Sequence, residues 1–265
     1  VLSPFEQLAL ETTGVLVVMF AVWLIQLRFR DAGVVDAAWT ASVGLAALFL
    51  AWTSDGDIVR RTLLALVSAL WSFRLAFYLL TTRVFGQKGE EARYHELRRR
   101  WGQAADRNML IFFLLQGILV VVLSLPFLVV AHSTAPGPNG ADLIGLAVGL
   151  VAVLGEAIAD RQLATFRQNP ANRGTTCRDG LWRYSRHPNY FFEWLHWWAY
   201  VLLGLASPWW FVTLVGPALM LFLILNVTGI PATEKRALAS RGDDYRRYQK
   251  TTNRFFPWFP RRISK

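Results

Sequence analysis

The chain alternates long apolar runs with short polar links. Seven runs approach the roughly 20 residues that a helix needs to cross a bilayer: 10–27, 33–52, 58–82, 109–131, 141–159, 188–206 and 209–230. Pro126, Pro208 and Pro217 lie within or beside these runs, where neighbouring helices can satisfy freed carbonyls. The pattern predicts an all-α, polytopic membrane protein of seven transmembrane helices, with 1–265 as one transmembrane domain. A further helix is expected over 234–250, with Glu234, Leu238, Arg241, Tyr245 and Tyr248 near one face. No internal repeat is visible, which argues against an alternating-access transporter.

Composition agrees. Hydrophobic residues make up 54% and charged residues 17%, too little charge to cover a soluble domain. The single cysteine, Cys177, excludes an intrachain disulfide. The start of the chain has no basic leader and no small-x-small pattern, so no cleaved signal peptide is expected.

Lysine and arginine orient the runs. Of 28, the 28–32 link holds two and the 83–108 loop seven: Arg83, Lys88, Arg93, Arg98, Arg99, Arg100 and Arg107. The 160–187 loop holds six and the tail from 231 ten, so 25 fall on one side of the seven-run pattern. Only Arg60 and Arg61 fall opposite; Arg74 falls within a run. The positive-inside rule then predicts an outside N-terminus and a cytoplasmic C-terminus. A net charge of +10 so distributed suits an acidic lipid surface or an anionic ligand, with nucleic acid the weakest partner.

Charges inside the runs share a depth. Asp36 lies one turn into the second run and Arg74 about two turns before the end of the third. Glu156 precedes the end of the fifth by one turn, Asp160 follows at i+4, and Glu193 lies just over one turn into the sixth. Snorkelling with ion pairs such as Asp36 to Arg74 explains any one of them. The set points to a cavity on the cytoplasmic side. Asn189, Glu193, His196 and Tyr200 share a helix face behind Pro188, with Arg186 and His187 just before it. Such a helix start suits a phosphate or carboxylate. The 160–187 loop has six arginines and no lysine, and guanidinium forks match phosphate oxygens.

The segment GLWRYSRHPNYFFEW (Gly180 to Trp194) resembles the steroid 5-alpha-reductase family and the bacterial integral membrane proteins that share its C-terminal domain. EAIADRQLATFRQNPANRG (Glu156 to Gly174) and DDYRRYQKTTNRFFPWFP (Asp243 to Pro260) are similar to the same group. WSFRLAFYLLTTR (Trp71 to Arg83) and VVDAAW (Val34 to Trp39) resemble its bacterial branch. The resemblance implies a cofactor-binding part over 110–265, a bacterial inner-membrane location and a site facing the cytoplasm. It implies NADPH as cofactor, with Asp160, Arg167, Tyr184, Asn189 and Glu193 around it and Arg173, Arg178 and Arg186 as further phosphate partners. It also sets Asn169, His187, Glu234 and Tyr245 there, although the reductases carry a histidine in place of Glu234. Phe192 stands where relatives often have glycine, a bulk expected to reshape the cofactor pocket.

The implied reaction is hydride transfer to the enone double bond of a sterol-like lipid, with 3-oxo-4-ene steroid 5-alpha-reduction as the type. Mammalian relatives polarise the enone oxygen with a Glu and a Tyr. By spacing these correspond to Asp36, which must be protonated to donate, and Trp71, with Tyr78 in reserve. Trp39 and Arg74 join Asp36 on the substrate side. The Arg-His-Pro-x-Tyr segment also resembles isoprenylcysteine and phospholipid methyltransferases, so an S-adenosylmethionine-dependent membrane methyltransferase is the alternative.

Overall fold

The computed structural model describes residues 2–86, 89–227 and 229–261. Lys88, Arg262 and Lys265, counted above among the basic residues, lie outside them. Over the apolar runs lie α1 (Pro4–Phe29), α2 (Val34–Thr53) and α3 (Ile58–Leu79); the short polar α4 (Ala92–Trp101) forms within the 83–108 segment, where a loop was expected; then come α5 (Ala105–Ala131), α6 (Gly140–Gln168), α7 (Pro188–Gly204), α8 (Val215–Phe222) and the tail helix α9 (Ile230–Thr251). No strand occurs among the described residues. Ser3 and Glu6 form a reciprocal capping box on α1, and Asp57 caps α3 through the amides of Val59 and Arg60.

Six segments are long and apolar enough to cross a membrane: Pro4–Phe29, Val34–Thr53, Ile58–Val84, Ala92–Ala131, Gly140–Gln168 and Trp210–Thr251. This is the make-up of an integral, multi-pass membrane protein. The run 188–206 behaves differently from expectation. α7 has 17 residues, a rise of about 26 Å against a hydrocarbon core of ~30 Å. It stops at Gly204, where Ser207 N donates to Gly204 O at 2.9 Å and turns the chain.

The described residues divide into two compact units, Val1–Asp142 with Leu203–Val215, and Leu143–Leu202 with Gly216–Lys265. In the first unit α1 buries only a narrow stripe, Gln7, Glu11, Val15, Met19, Val22 and Gln26, at steps of three and four. Outside this stripe most positions of α1 are apolar and exposed or half-buried, as lipid allows. Gly117 lets α5 approach that stripe, since a Cβ there would meet Leu16 and Met19 at 3.2 Å. α2 packs on α3 through Gly44, where a Cβ would overlap Ser72 Oγ at 2.2 Å; that hydroxyl donates to Thr40 O. Small residues take the place of the hydrophobic effect in bringing such helices together.

One end of this unit is tied by polar side chains. Arg60 Nε and Nη2 donate to the two oxygens of Asp142, both at 2.9 Å, and Nη1 donates to Ala135 O. The pair is sealed, with side-chain exposures of 0% and 1%. Arg61 donates to Ala51 O and Trp52 O at the C-terminal end of α2. Ser54, His132 and Asp55 form a hydrogen-bonded row at 3.2 Å each. The order is that of a nucleophilic triad, yet Ser54 is buried and takes a bond from Gln7 Nε2 at 3.0 Å. The row ties α1, the 54–57 link and the end of α5 together.

The second unit is built on antiparallel α6 and α7. A Cβ on Gly155 would overlap the Phe192 ring at 2.4 Å, and Asn189 Nδ2 reaches Asp160 Oδ1 at 3.2 Å, so the two contacts fix one register. Phe192, where a smaller residue was the expectation, is accommodated by the missing side chain of Gly155. α9 is not straight. Gly242 has φ 51° and ψ −122°, a conformation that glycine adopts without steric cost. Along a straight helix Tyr245 and Gln249 would stand about 16 and 22 Å beyond Glu234. The bend brings both back onto it and packs Tyr245 and Tyr248 against Ala237 and Leu238. The single face expected over 234–250 is therefore two faces of a folded pair.

Candidate functional site

The predicted catalytic residues Asp36, Trp71 and Tyr78 all lie in the first unit. Asp36, in the first turn of α2, is gripped by the polar segment between α3 and α5. Tyr94 Oη donates to its Oδ1 at 2.7 Å, while Arg93 Nη2 (2.6 Å) and Arg83 Nη1 (3.1 Å) donate to Oδ2. Tyr94 is fully buried and carries the Arg93 guanidinium 4.5 Å above its ring. The segment is held in turn by Glu91 on Arg83, by Glu90 between Arg98 and the amide of Ala32, and by Asp106 between Arg98 and Arg30. Two guanidiniums, those of Arg83 and Arg93, lie on Asp36. Asp36 thus carries three donors on its two oxygens. Trp71 is fully buried within α3; Trp39, Arg74 and Tyr78 are half-buried. A cavity of about 600 Å³ lies at the other end of this unit, lined among others by Leu125, His132, Pro208 and Trp209, and none of the predicted substrate residues lines it.

The second unit gathers the Arg-His-Pro-x-Tyr segment around Glu234. Arg186 Nε donates to Glu234 Oε1 at 2.7 Å, and its Nη1 donates to Gln249 O (3.1 Å) and Thr252 O (2.8 Å). His187 Nε2 (3.3 Å) and Tyr245 Oη (3.3 Å) meet the same carboxylate oxygen, and Gln249 Nε2 (3.0 Å) meets the other. His187 stacks on Tyr190 with ring centres 5.6 Å apart. Ser185 Oγ donates to Phe255 O and accepts from His187 N, and Tyr248 Oη donates to Ser185 O. Trp182 Nε1 donates to Ala159 O at 2.9 Å and locks the turn before the motif onto α6.

The predicted cofactor residues fall into two sets here. Asp160, Asn189, Arg186, His187, Glu234 and Tyr245 are buried or half-buried around the start of α7, and Glu193 is half-buried one turn further along. Arg167, Asn169, Arg173 and Arg178 are exposed. α6 continues to Gln168, nine residues past the apolar run, and so places Arg167 on a helix and not in the expected loop. Asn169 caps a short turn through the amide of Ala171, a local role. Arg178 pairs with Asp244 at 2.8 Å. Tyr184 accepts from Trp258 N at 3.0 Å and meets the edge of Phe259. His196 and Tyr200, on the same helix, are buried and bonded to each other at 2.6 Å. Gln249, Ser185 and Tyr94 were not among the expected residues. Each acts through a tertiary bend or loop that local spacing does not encode.

Burial lowers the His187 pKa below the ordinary 6.5, partly offset by Glu234. The unfolded chain therefore binds the proton more readily, so this contribution to stability is complete above pH 6.5 and is lost as pH falls below it. Thermal unfolding in detergent should show a decline of at most about 1.4 kcal/mol per pH unit below that point. A His187→Gln variant should lack that decline; the same decline in the variant would assign it elsewhere.

The family described as "Protein of unknown function (DUF1295)" matches residues 22–252, which takes in both Asp36 and the Glu234 cluster. The chain belongs to this family. No curated protein and no solved structure matches it. As a DUF1295 member the chain carries the Arg186–Tyr190 segment and the tail that clasps it inside the matched region, save for residues 253–261.

Proposed function

We propose that this DUF1295 protein is an NADPH-dependent membrane reductase of an enone lipid, similar to the steroid 5-alpha-reductases, with a 3-oxo-4-ene steroid as substrate type. The observation that carries the reading is the Arg186-His187-Pro188 turn, joined to α6 through Asn189 and Asp160 and clasped by the bent α9. The donor set fits a dinucleotide in part: Arg167 in the last turn of α6 and Arg173 just after it are exposed guanidiniums suited to phosphate, whereas Arg186 is committed to Glu234. When bound, the reduced nicotinamide supplies the hydride for the β-carbon of the enone. The chain's own task is then to stabilise negative charge on the enone oxygen. The resemblance gives that task to Asp36, Trp71 and Tyr78.

The same reading includes seven spans, with α7 as a short one, an outside N-terminus and a cytoplasmic C-terminus in a bacterial inner membrane. Support comes from the two basic residues that break the one-sided pattern. Arg60 is neutralised by Asp142, and Arg61 is spent on helix-end carbonyls.

One observation favours the methyltransferase alternative. Glu234 cancels the charge of Arg186, and adenosylmethionine is close to neutral where NADPH carries several negative charges. Thermal unfolding separates the two. A hundredfold excess of NADPH over its Kd should raise Tm by roughly 5 °C, with no shift from adenosylmethionine. A shift with adenosylmethionine alone would reverse the assignment.

A further inference from the structure

Residues 253–261 leave α9 and run back along the turn that precedes α7. Arg186 N donates to Asn253 O (2.8 Å), Trp258 N to Tyr184 O (3.0 Å) and Arg261 N to Thr251 O (2.8 Å), so this stretch is fixed by its backbone. Phe255 is buried against Phe191 and Trp194. The rings that follow are not: Phe256, Trp258 and Phe259 are 57%, 70% and 71% exposed. Contiguous apolar surface held rigidly outward marks an interaction face. Its depth is set by its neighbours. Phe256 meets Phe191 and Trp194 in the first turns of α7 edge-on. The rings therefore sit level with the end of an apolar helix.

Basic residues border the rings. Arg254 and Arg261 flank them, exposed, and Lys250 is exposed in the last turn of α9, beyond Arg246 and Arg247, which pair with Asp243 and Asp244. Among the described residues Arg254 makes one long contact, 3.5 Å, to Leu225 O. Large aromatic rings bordered by arginine suit the boundary between acyl chains and acidic headgroups.

We propose that residues 254–261 are an interfacial anchor for anionic phospholipid. The rings of Phe256, Trp258 and Phe259 enter the headgroup boundary, and Arg254 and Arg261 take lipid phosphates. Through its backbone bonds to residues 184–186 the anchor also steadies the turn that carries His187. The proposal does not depend on the reductase reading.

The test is amide hydrogen exchange of the full chain in nanodiscs of phosphatidylcholine, with or without phosphatidylglycerol. Residues 184–187 and 253–261 should exchange about thirtyfold more slowly with the anionic lipid, and inorganic phosphate should not reproduce this. Arg254→Gln with Arg261→Gln should abolish the lipid difference. Trp258→Ser with Phe259→Ser should speed exchange in both lipids. Unchanged exchange in α2 reports an intact fold in each variant. Equal exchange of the unaltered chain in the two lipids overturns the proposal, as does a lipid difference that survives the arginine pair or one that phosphate alone restores.

Discussion

Arg60→Ala should destabilise the first unit by about 3–5 kcal/mol, because it strands the Asp142 carboxylate in a sealed site. Both oxygens of Asp142 lose a donor, and only the amide of Asn139 remains on one of them. The carbonyl of Ala135 loses its guanidinium as well. Asp142→Ala should be equally severe, leaving the cation behind. A paired Arg60→Met and Asp142→Leu variant removes both charges and should recover a large part of the loss. It should not recover all, since the loop carbonyls stay without that donor at about 1–3 kcal/mol. Unfolding in detergent measures the four chains. A loss below ~1 kcal/mol for Arg60→Ala would mean that water reaches the pair.

The second large effect concerns chemistry and tests the proposed reductase. Asp36→Ala should lower enone-dependent oxidation of NADPH by roughly 10²–10³, the usual cost of one oxyanion-stabilising group. The loss should fall on kcat, because an interaction confined to the transition state leaves substrate binding alone. The Tm shift produced by NADPH should be unchanged in the same variant. Tyr94→Phe should cost less than about tenfold, since the buried phenol only orients Asp36. If Tyr94→Phe is the more damaging of the two, the phenol is the acid and Asp36 its support. A normal rate in Asp36→Ala ends the assignment of the enone oxygen to this residue.

The helices were legible because an apolar run of bilayer length has few other fates. Where the run misled, at α7, the cause was a turn: residues 205 and 206 are apolar but no longer helical. Asp36 was legible as a group that needs partners, since a lone acid in an apolar run is costly. Its partners were not, because the positive-inside rule already accounts for a basic loop and hides which arginines turn inward. Arg60 was masked in the same way. It counted as an exception to charge asymmetry, and nothing local to it signals the acid eighty-two residues away. The Arg186–Tyr190 motif was legible by resemblance. The carboxylate at its centre required the bend at Gly242, and a glycine in a helical pattern gives no direction of bend.

That bend has a consequence for the order of assembly. Arg186 hangs on the carbonyls of Gln249, Thr252 and Asn253, more than sixty positions later in synthesis. Every apolar helix can be made and inserted while the motif is still unlatched. The stretch that follows the apolar helices acts as a key, and a chain broken off before it keeps its membrane body but leaves that lock open.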